Sequence, residues 1–498
     1  MSDELKFTSV IDEDNHEYFI EKKLGEGGQG AVFKIKGQNL VCKVLLDNNG
    51  NVLQDNAKYK EFRSNLEEVK VLNLPASIHI SRPEYFLKKP YCGYIMELMD
   101  GMISLNDIII PNDGEKISEF YKRTGGLLRR IKILRTIAGI LETLARESIV
   151  YADLSPNNIY ISEDIHEAEV WIIDSDNMRY TIDFSKSICT PSYAAPEIFS
   201  GRRNNDYFSD SYSFAIIAFQ FLTIAHPFIG DAVLNPSKED NDEDDWGDVG
   251  DNNDVYSRAY KGEFPWILDE NDKSNHFNID YFPENFIPYT KELYNLFDKT
   301  FSYEARNTPN IRPKMYEWYE ALSNALNLII ECDCENSYIK TKEINHCPFC
   351  KKERNKVYVL RSYKSYKPNI LKSFIYEDNN ISKDESLKSL ININNDIIKK
   401  TRKRKILKNI NIKEREIITY SDITVKKFLD DITADVFYID VINENEYHII
   451  NKTQYPLYII EPIRNTINDS IVIDSINNIK LVLDENEVSF FMFEIKLM

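Results

Sequence analysis

Three apolar, strand-like runs in this chain each carry an ionisable group. LVCKVLL at 40–46 contains Lys43, IVYADLSPNNIYI at 149–161 contains Asp153, and WIIDSDNMRY at 171–180 contains Asp174 and Asp176. Charges are rarely buried in such patterns unless something pairs with them. The sequence thus raises the question of what needs a lysine, aspartates and the amide of Asn158 on strand ends so far apart.

Composition narrows the setting. With 498 residues, 43% of them hydrophobic, the chain has material for more than one core. A formal net charge of -19 argues against non-specific nucleic-acid binding. The opening MSDELKFTSVIDEDN has neither the basic nor the apolar region of a signal peptide. The longest apolar run, around 214–225, is short for a membrane span and is interrupted by Gln220. Four of the seven cysteines cluster, which argues against a disulfide framework and for a reducing, cytoplasmic setting.

Periodicity sketches the organisation. Residues 18–46 read as strands broken by a glycine-rich turn, and 59–74 as a helix through Phe62, Leu66, Val69 and Leu72. Residues 85–98 return to strand. Ile131, Leu134, Ile137, Ala138, Leu141 and Leu144 predict a second helix over 129–145, and 210–225 a strongly apolar one. The acidic run 237–254 reads as a solvated insertion, since it lacks the spacing and glycine of a calcium loop. Helical patterns resume over 289–330. The basic run KKTRKRK at 399–405 reads as a linker or helix face, and 435–498 as a small β-rich domain.

The chemistry lies in five elements. In LGEGGQGAVFKI, 24–35, Gly25, Gly27 and Gly30 let backbone N–H groups approach an anion. The same spacing opens dinucleotide-binding folds, but there a helix follows, whereas here Val32-Phe33-Lys34-Ile35 continues as a strand. Lys43 needs a carboxylate, and the expected partner is Glu68, four residues before Leu72 on the apolar helix face, with Glu67 as the alternative. Asp153 is followed five residues later by Asn158. Asp174-Ser175-Asp176 ends a β-like run, and Thr190-Pro191-Ser192-Tyr193-Ala194-Ala195-Pro196-Glu197 follows. Singly, each has a bland reading: Lys43 snorkels, Asp153 caps a helix, Asp174 ends a strand.

Together and in this order the elements resemble a eukaryotic-type (Hanks-type) Ser/Thr protein kinase over 18–327. The resemblance implies an ATP-binding transferase with a β-rich N-lobe and a helical C-lobe. Gly25, Gly27 and Gly30 would cover the phosphates, and Lys43, steadied by Glu68, would hold them. Asp153 would orient the substrate hydroxyl and accept its proton, and Asn158 and Asp174 would hold Mg²⁺ or Mn²⁺. Val32 and Val41 would pack on the adenine. Met96 would be the gatekeeper, and the backbone of Glu97 and Met99 would meet the adenine edge. Glu197 would pair with Arg312, and Asp210 would brace the catalytic loop. Thr190 and Tyr193 fit the Ser/Thr class.

The departures from the family pattern carry expectations of their own. Tyr151-Ala152 stands where His-Arg usually precedes the aspartate, so the usual pocket for an activation-loop phosphate is missing. Activity is then not expected to depend on phosphorylation through that pocket. Ser155 replaces a lysine that helps neutralise the transferred phosphoryl. Ser175 and Asp176 replace Phe-Gly, and Asp176 tolerates positive φ less well than glycine. YADLSPNN and AHPFIGD resemble a bacterial or phage subgroup found in tellurite-resistance-type gene sets. That likeness implies a von Willebrand-type domain protein and a metal-dependent phosphatase as partners beside the protein substrates. The departures also leave open a pseudokinase scaffold and a small-molecule kinase on the same fold.

Cys332-x-Cys334 and Cys347-x-x-Cys350 read as a four-cysteine structural zinc site, with His346 as an alternative ligand. Cys42 and Cys92 read as core residues, and Cys189 falls in the activation segment. The expected fold is α+β and bilobal. Its expected divisions are a tail (1–16), the N-lobe (17–99), the C-lobe (100–328), a zinc-ribbon-like element (329–354), a linker or mixed region (355–434) and a β-rich domain (435–498).

Overall fold

The computed structural model describes residues 7–27, 30–47, 51–52, 56–75, 78–181, 187–235, 252–279, 281–340, 344–353, 358–366, 406–410, 415–419, 435–443, 446–453, 457–461, 465–467, 469–473, 479–483 and 489–497. The chain divides into two compact units, Met1–Ala325 with Asp333–Ile339, and Leu326–Cys332 with Lys340–Met498.

The first unit opens with β1 (Ser9–Ile11), β2 (Glu17–Gly27), β3 (Gly30–Ile35), β4 (Leu40–Val44), helix α1 (Asn56–Val71), β5 (Tyr85–Phe86) and β6 (Gly93–Glu97). The strands form one antiparallel sheet in the order β1-β2-β3-β4-β6-β5. Residues 7–16, expected to be a tail, thus contribute an edge strand and a core aromatic: Phe7 packs on Phe33 and Tyr91. Period-two alternation divides the side chains between two clusters. Ala31, Phe33, Ile35, Cys42, Val44 and Ile95 fill one. Val41, Tyr94 and Met96 join Leu66 and Phe86 in the other, with Val32 packed against them. Lys43 lies two residues from Val41 and shares its face of β4.

Two glycines let the backbones crowd around β4. Gly30 has φ 141°, and a Cβ there would sit 2.4 Å from the Val44 carbonyl oxygen. A Cβ on Gly93 would sit 1.9 Å from the carbonyl of Lys43.

The helical lobe begins after β7 (Met102–Ser104) with α2 (Ile117–Arg123) and α3 (Gly126–Arg146). The apolar positions Ile131, Leu134, Ile137, Ala138, Leu141 and Leu144 on α3 are all buried. Short strands follow: β8 (Ile149–Val150), β9 (Ile159–Ser162), β10 (Val170–Ile172) and β11 (Arg179–Tyr180). β9 pairs with β7 and β10, and β8 with β11. The turns leaving β8 and β10 carry Asp153 and Asp174. Then come α4 (Pro196–Phe199), α5 (Tyr207–Thr223), α6 (Asp231–Leu234), α7 (Asn252–Tyr260), α8 (Lys291–Phe301), α9 (Tyr303–Asn307) and α10 (Met315–Leu326). Helix α5 is apolar nearly all round and accordingly almost wholly buried. Asp206 and Ser209 close its N-terminus with a reciprocal capping box. Glu197 and Arg312 form a buried bidentate pair at 2.7 and 2.8 Å, with the guanidinium 4.6 Å over the Tyr212 ring.

Beyond β12 (Ile329–Glu331) and β13 (Ser337–Ile339), the second unit carries two antiparallel sheets. β14 (Tyr358–Tyr366), β15 (Ile406–Ile410), β19 (Leu457–Glu461), β20 (Asn465–Ile467), β22 (Ile479–Leu483) and β23 (Ser489–Leu497) make one, and β16 (Arg415–Thr419), β17 (Asp435–Asn443), β18 (Glu446–Asn451) and β21 (Ser470–Ile473) the other. The strand content begins earlier than 435, because β14 pairs along its whole length with β23. The basic run 399–405 and all but the last residues of the acidic run 237–254 lie outside the described residues.

His226, in the turn after α5, is held neutral by its surroundings. Its Nε2 donates to the Ser192 carbonyl at 2.9 Å, and its Nδ1 accepts from the Phe228 amide at 3.3 Å. A second ring proton would meet that amide, and burial pushes the imidazole down to about 4. The unfolded chain takes up this proton near pH 6.5, so the stabilisation is complete above that pH and is lost as pH falls toward 4. The stability advantage of wild type over His226→Gln should therefore narrow from pH 7.5 to 4.5 in urea unfolding; a pH-independent difference would sink this account.

Candidate active site

Lys43 stands opposite Tyr94 in the β4–β6 register and is buried. Its Nζ lies 2.6 Å from Asp174 Oδ1 and 2.6 Å from Asp176 Oδ2. The expected pairing with Glu68 is not formed. Leu66 and Val69 take the buried positions of α1, and Glu68 is left exposed between them and the solvent face. Glu67, the alternative, accepts from Arg63 Nε at 2.9 Å. A buried carboxylate one turn after β10 reaches Lys43 directly, so the helix need not supply one.

Two carboxylates thus share one cation. Burial opposes the charge on Lys43, but Asp176 and Asp174 outweigh it and hold the ammonium above the ordinary lysine range. Burial pushes the Asp176 carboxyl up to about 6, with Lys43 pulling it down and Asp174 pushing it up. The positive φ expected to trouble Asp176 falls on Asp174 instead, at φ 61° and ψ 61°, while Asp176 lies in a tight helical turn, Ser175–Asn177. Ser175 is buried in that turn rather than packing as an aromatic would.

The turn after β8 is fixed from several sides. Asp210 on α5 accepts the Tyr151 amide at 2.8 Å and the Ala152 amide at 3.0 Å. Burial pushes Asp210 up to about 7, and those two amides and Arg179 pull the other way. Ala152 takes a left-handed φ of 79°. The Tyr151 hydroxyl donates to the Ile173 carbonyl and lies 3.3 Å from that of Asp174, tying this turn to the one carrying the carboxylates. Asn158 Nδ2 donates to the Asp153 carbonyl at 2.9 Å, which leaves its Oδ1 for a cation. Thr190 Oγ1 donates to Asp153 Oδ1 at 2.8 Å. Burial raises the Asp153 carboxyl above the ordinary aspartate range, opposed by Thr190.

Asp153, Thr190, Cys189 and Tyr193 line one pocket. Burial and the neighbouring Asp153 push the Cys189 thiol up, which keeps it neutral. Ser155 is buried, and its carbonyl accepts the Asn158 amide at 3.0 Å, so no cation stands at that position.

The glycine turn joins β2 and β3, with Gly25 opposite Val32 and Gly27 opposite Gly30. Val32 and Val41 share their cluster with Met96, whose Sδ accepts the Ser81 hydroxyl at 3.4 Å. After Met96 the Leu98 amide is taken by the Asn39 carbonyl at 3.0 Å. The Asp100 amide then turns back onto the Leu98 carbonyl at 3.0 Å, so the chain leaves β6 in a tight turn centred on Met99.

The sulfurs of Cys332, Cys334, Cys347 and Cys350 lie within 4.8 Å of one another, a donor set suited to zinc. The Cys347–Cys350 turn is closed by the Lys351 amide on the Cys347 carbonyl at 2.9 Å, with Lys351 at φ 61°. His346 is exposed and does not join the cluster.

Sequence reading missed two contributors. Asp176 was visible as a charge but read as a departure, not as the partner of Lys43. The Tyr151 hydroxyl gave no signal, because its acceptor is a backbone carbonyl 22 positions away. Because Glu68 is exposed, Glu68→Gln should change the unfolding free energy by less than about 0.5 kcal/mol. Lys43→Met leaves two carboxylates without their cation and should cost about 3 kcal/mol. Equal losses in urea denaturation would overturn the pairing.

The protein kinase domain family model matches residues 18–274, just over half of the chain. A putative serine/threonine-protein kinase/receptor of Acanthamoeba polyphaga mimivirus is 27% identical over 224 residues, which are 44% of this chain and 13% of that protein. The carbon catabolite-derepressing protein kinase of Saccharomyces cerevisiae is 26% identical over 221 residues, 43% of this chain and 32% of the yeast protein. A serine/threonine-protein kinase of Mycolicibacterium smegmatis is 26% identical over 228 residues, 43% of this chain and 34% of the relative. The chain therefore spans 13% to 34% of the length of these relatives. With the family match covering both the glycine turn and the two aspartate-bearing turns, the chain belongs to the protein kinase family.

Proposed function

We propose that this chain is an ATP- and Mg²⁺-dependent serine/threonine kinase acting on proteins. The observation that carries the reading is the setting of Asp153. Thr190 holds its carboxylate, Asn158 holds its backbone carbonyl, and the carboxylate lines a pocket with Thr190 and Tyr193, where it would meet a substrate hydroxyl. A carboxyl raised by burial is a better proton acceptor than an ordinary aspartate. Lys43 supplies positive charge for the nucleotide phosphates, and Asn158 Oδ1 and Asp174 would hold the metal, which would neutralise phosphate charge. Phosphoryl transfer asks for positioning and charge cancellation, which these groups supply.

One observation favours a scaffold instead: Lys43 is engaged by both Asp174 and Asp176, and a nucleotide has to compete for it. Transfer of labelled γ-phosphate to a generic protein, with the modified residues mapped, separates the readings. Asp153→Asn and Asp174→Asn should each lower incorporation on Ser or Thr by at least about 100-fold. No transfer by wild type, with nucleotide bound, would favour the scaffold or a small-molecule kinase.

The thiolate cluster is proposed as a structural zinc site. The full chain should carry about one zinc per molecule, and Cys347→Ser with Cys350→Ser should abolish it and lower the thermal midpoint. Unchanged metal content would overturn the assignment. Membership of the bacterial or phage subgroup, its von Willebrand-type and phosphatase partners and a cytoplasmic location rest on the sequence stretches quoted above. Among the described residues no helix is long and apolar enough to cross a membrane.

A further inference from the structure

Asn205 lies one residue before the cap of α5 and is 5% exposed. An amide side chain offers two acceptor lone pairs and two N–H donors, and here all four are used. Oδ1 accepts Arg179 Nη2 at 3.0 Å and the Ile188 amide at 3.1 Å. Nδ2 donates to the Ala152 carbonyl at 3.0 Å and the Ile188 carbonyl at 3.0 Å. Arg179 can only donate, so it fixes which end of the amide faces which partner.

These bonds converge on the reacting residues. Ala152 precedes Asp153, and both of its backbone polar groups are held, the N–H by Asp210 and the carbonyl by Asn205. Ile188 lies two residues before Thr190, which bonds Asp153. Arg179 also donates from Nη1 to the Asn177 carbonyl at 2.9 Å, in the turn that contains Asp176. One buried amide therefore sets three things against one another: the turn carrying Asp153, the turn carrying the carboxylates, and the segment carrying Thr190. Alanine stands at 152, and Arg179 donates to the side-chain oxygen of Asn205 and to the Asn177 carbonyl.

We propose that Asn205 is a positioning residue for phosphoryl transfer, and that its neutral amide holds the activation segment and the catalytic turn in register without phosphorylation of that segment. The proposal rests on the kinase reading and deepens it by naming the regulation of the same site. An aspartate would keep both acceptor bonds but turn both donors into repulsion against the Ala152 and Ile188 carbonyls. The geometry asks for an amide and not for a charge.

The test uses the full chain as wild type, wild type treated with a broad-specificity protein phosphatase, Asn205→Ala, and the isosteric Asn205→Asp. Hydrogen exchange is read over 187–195 and 150–155, and initial rates are read with MgATP and a generic protein substrate. Protection of both segments and the rate should be unchanged by the phosphatase. Each variant should exchange at least about tenfold faster in those segments. Each should lose about 10- to 100-fold in kcat, with KM for ATP within about twofold. A uniform rise in exchange across the chain, or equal protection in wild type and both variants, overturns the clamp. So does loss of protection or rate on dephosphorylation of wild type, an arm that needs no variant to fold. Expected exchange with no phosphoryl transfer by wild type overturns the kinase reading instead.

Discussion

Two consecutive backbone amides, those of Tyr151 and Ala152, donate to a single buried carboxylate, Asp210, and the geometry of the candidate site depends on that contact. The carboxylate is on a helix with almost no exposed surface, so it is as fixed as anything in the lobe. Gripping two successive N–H groups forces the chain into the left-handed turn at Ala152. The turn presents Asp153 to the pocket rather than burying it under β8. From there the order spreads outward: Asn158 ties the carbonyl of Asp153, Thr190 ties its carboxylate, and Tyr151 reaches across to the turn after β10.

The sheet lobe joins this arrangement through one charge. Lys43 is on a strand, and its partners Asp174 and Asp176 are on a turn 131 and 133 residues later. Desolvating a lysine is unfavourable unless the partner geometry is good, and the close approach of β6 at Gly93 sets the strand bearing Lys43 against its neighbour. The exposed Glu68 shows that the charge balance of this site is settled between the sheet and the carboxylate turn, with α1 contributing packing through Leu66 and Val69.

Much of this was legible in the sequence because it obeys local periodicity. The helical spacing of α3 named its buried residues, whereas the shared surroundings of Val32 and Val41 were implied by the family resemblance. The convergence of Lys43, Asp153, Asn158 and Asp174 followed from charges in apolar runs together with the family order. What escaped depends on distances between elements, to which no local pattern is sensitive. The spacing of Glu68 from Leu72 placed it on a face but could not say whether that face approached Lys43 more closely than Asp176 did. Asn205 has partners 17, 26 and 53 positions away and no flanking signal. The pairing of β14 with β23 likewise joins stretches that show no shared pattern.

Asp176 has a consequence for how far its turn can move. The turn after β10 carries a carboxylate locked to a buried ammonium, so drawing it away would strand a charge on each side of a low-dielectric gap. The ion pair thus acts as a latch between strand β4 and the turn, and any rearrangement of that turn has to supply each charge with another partner.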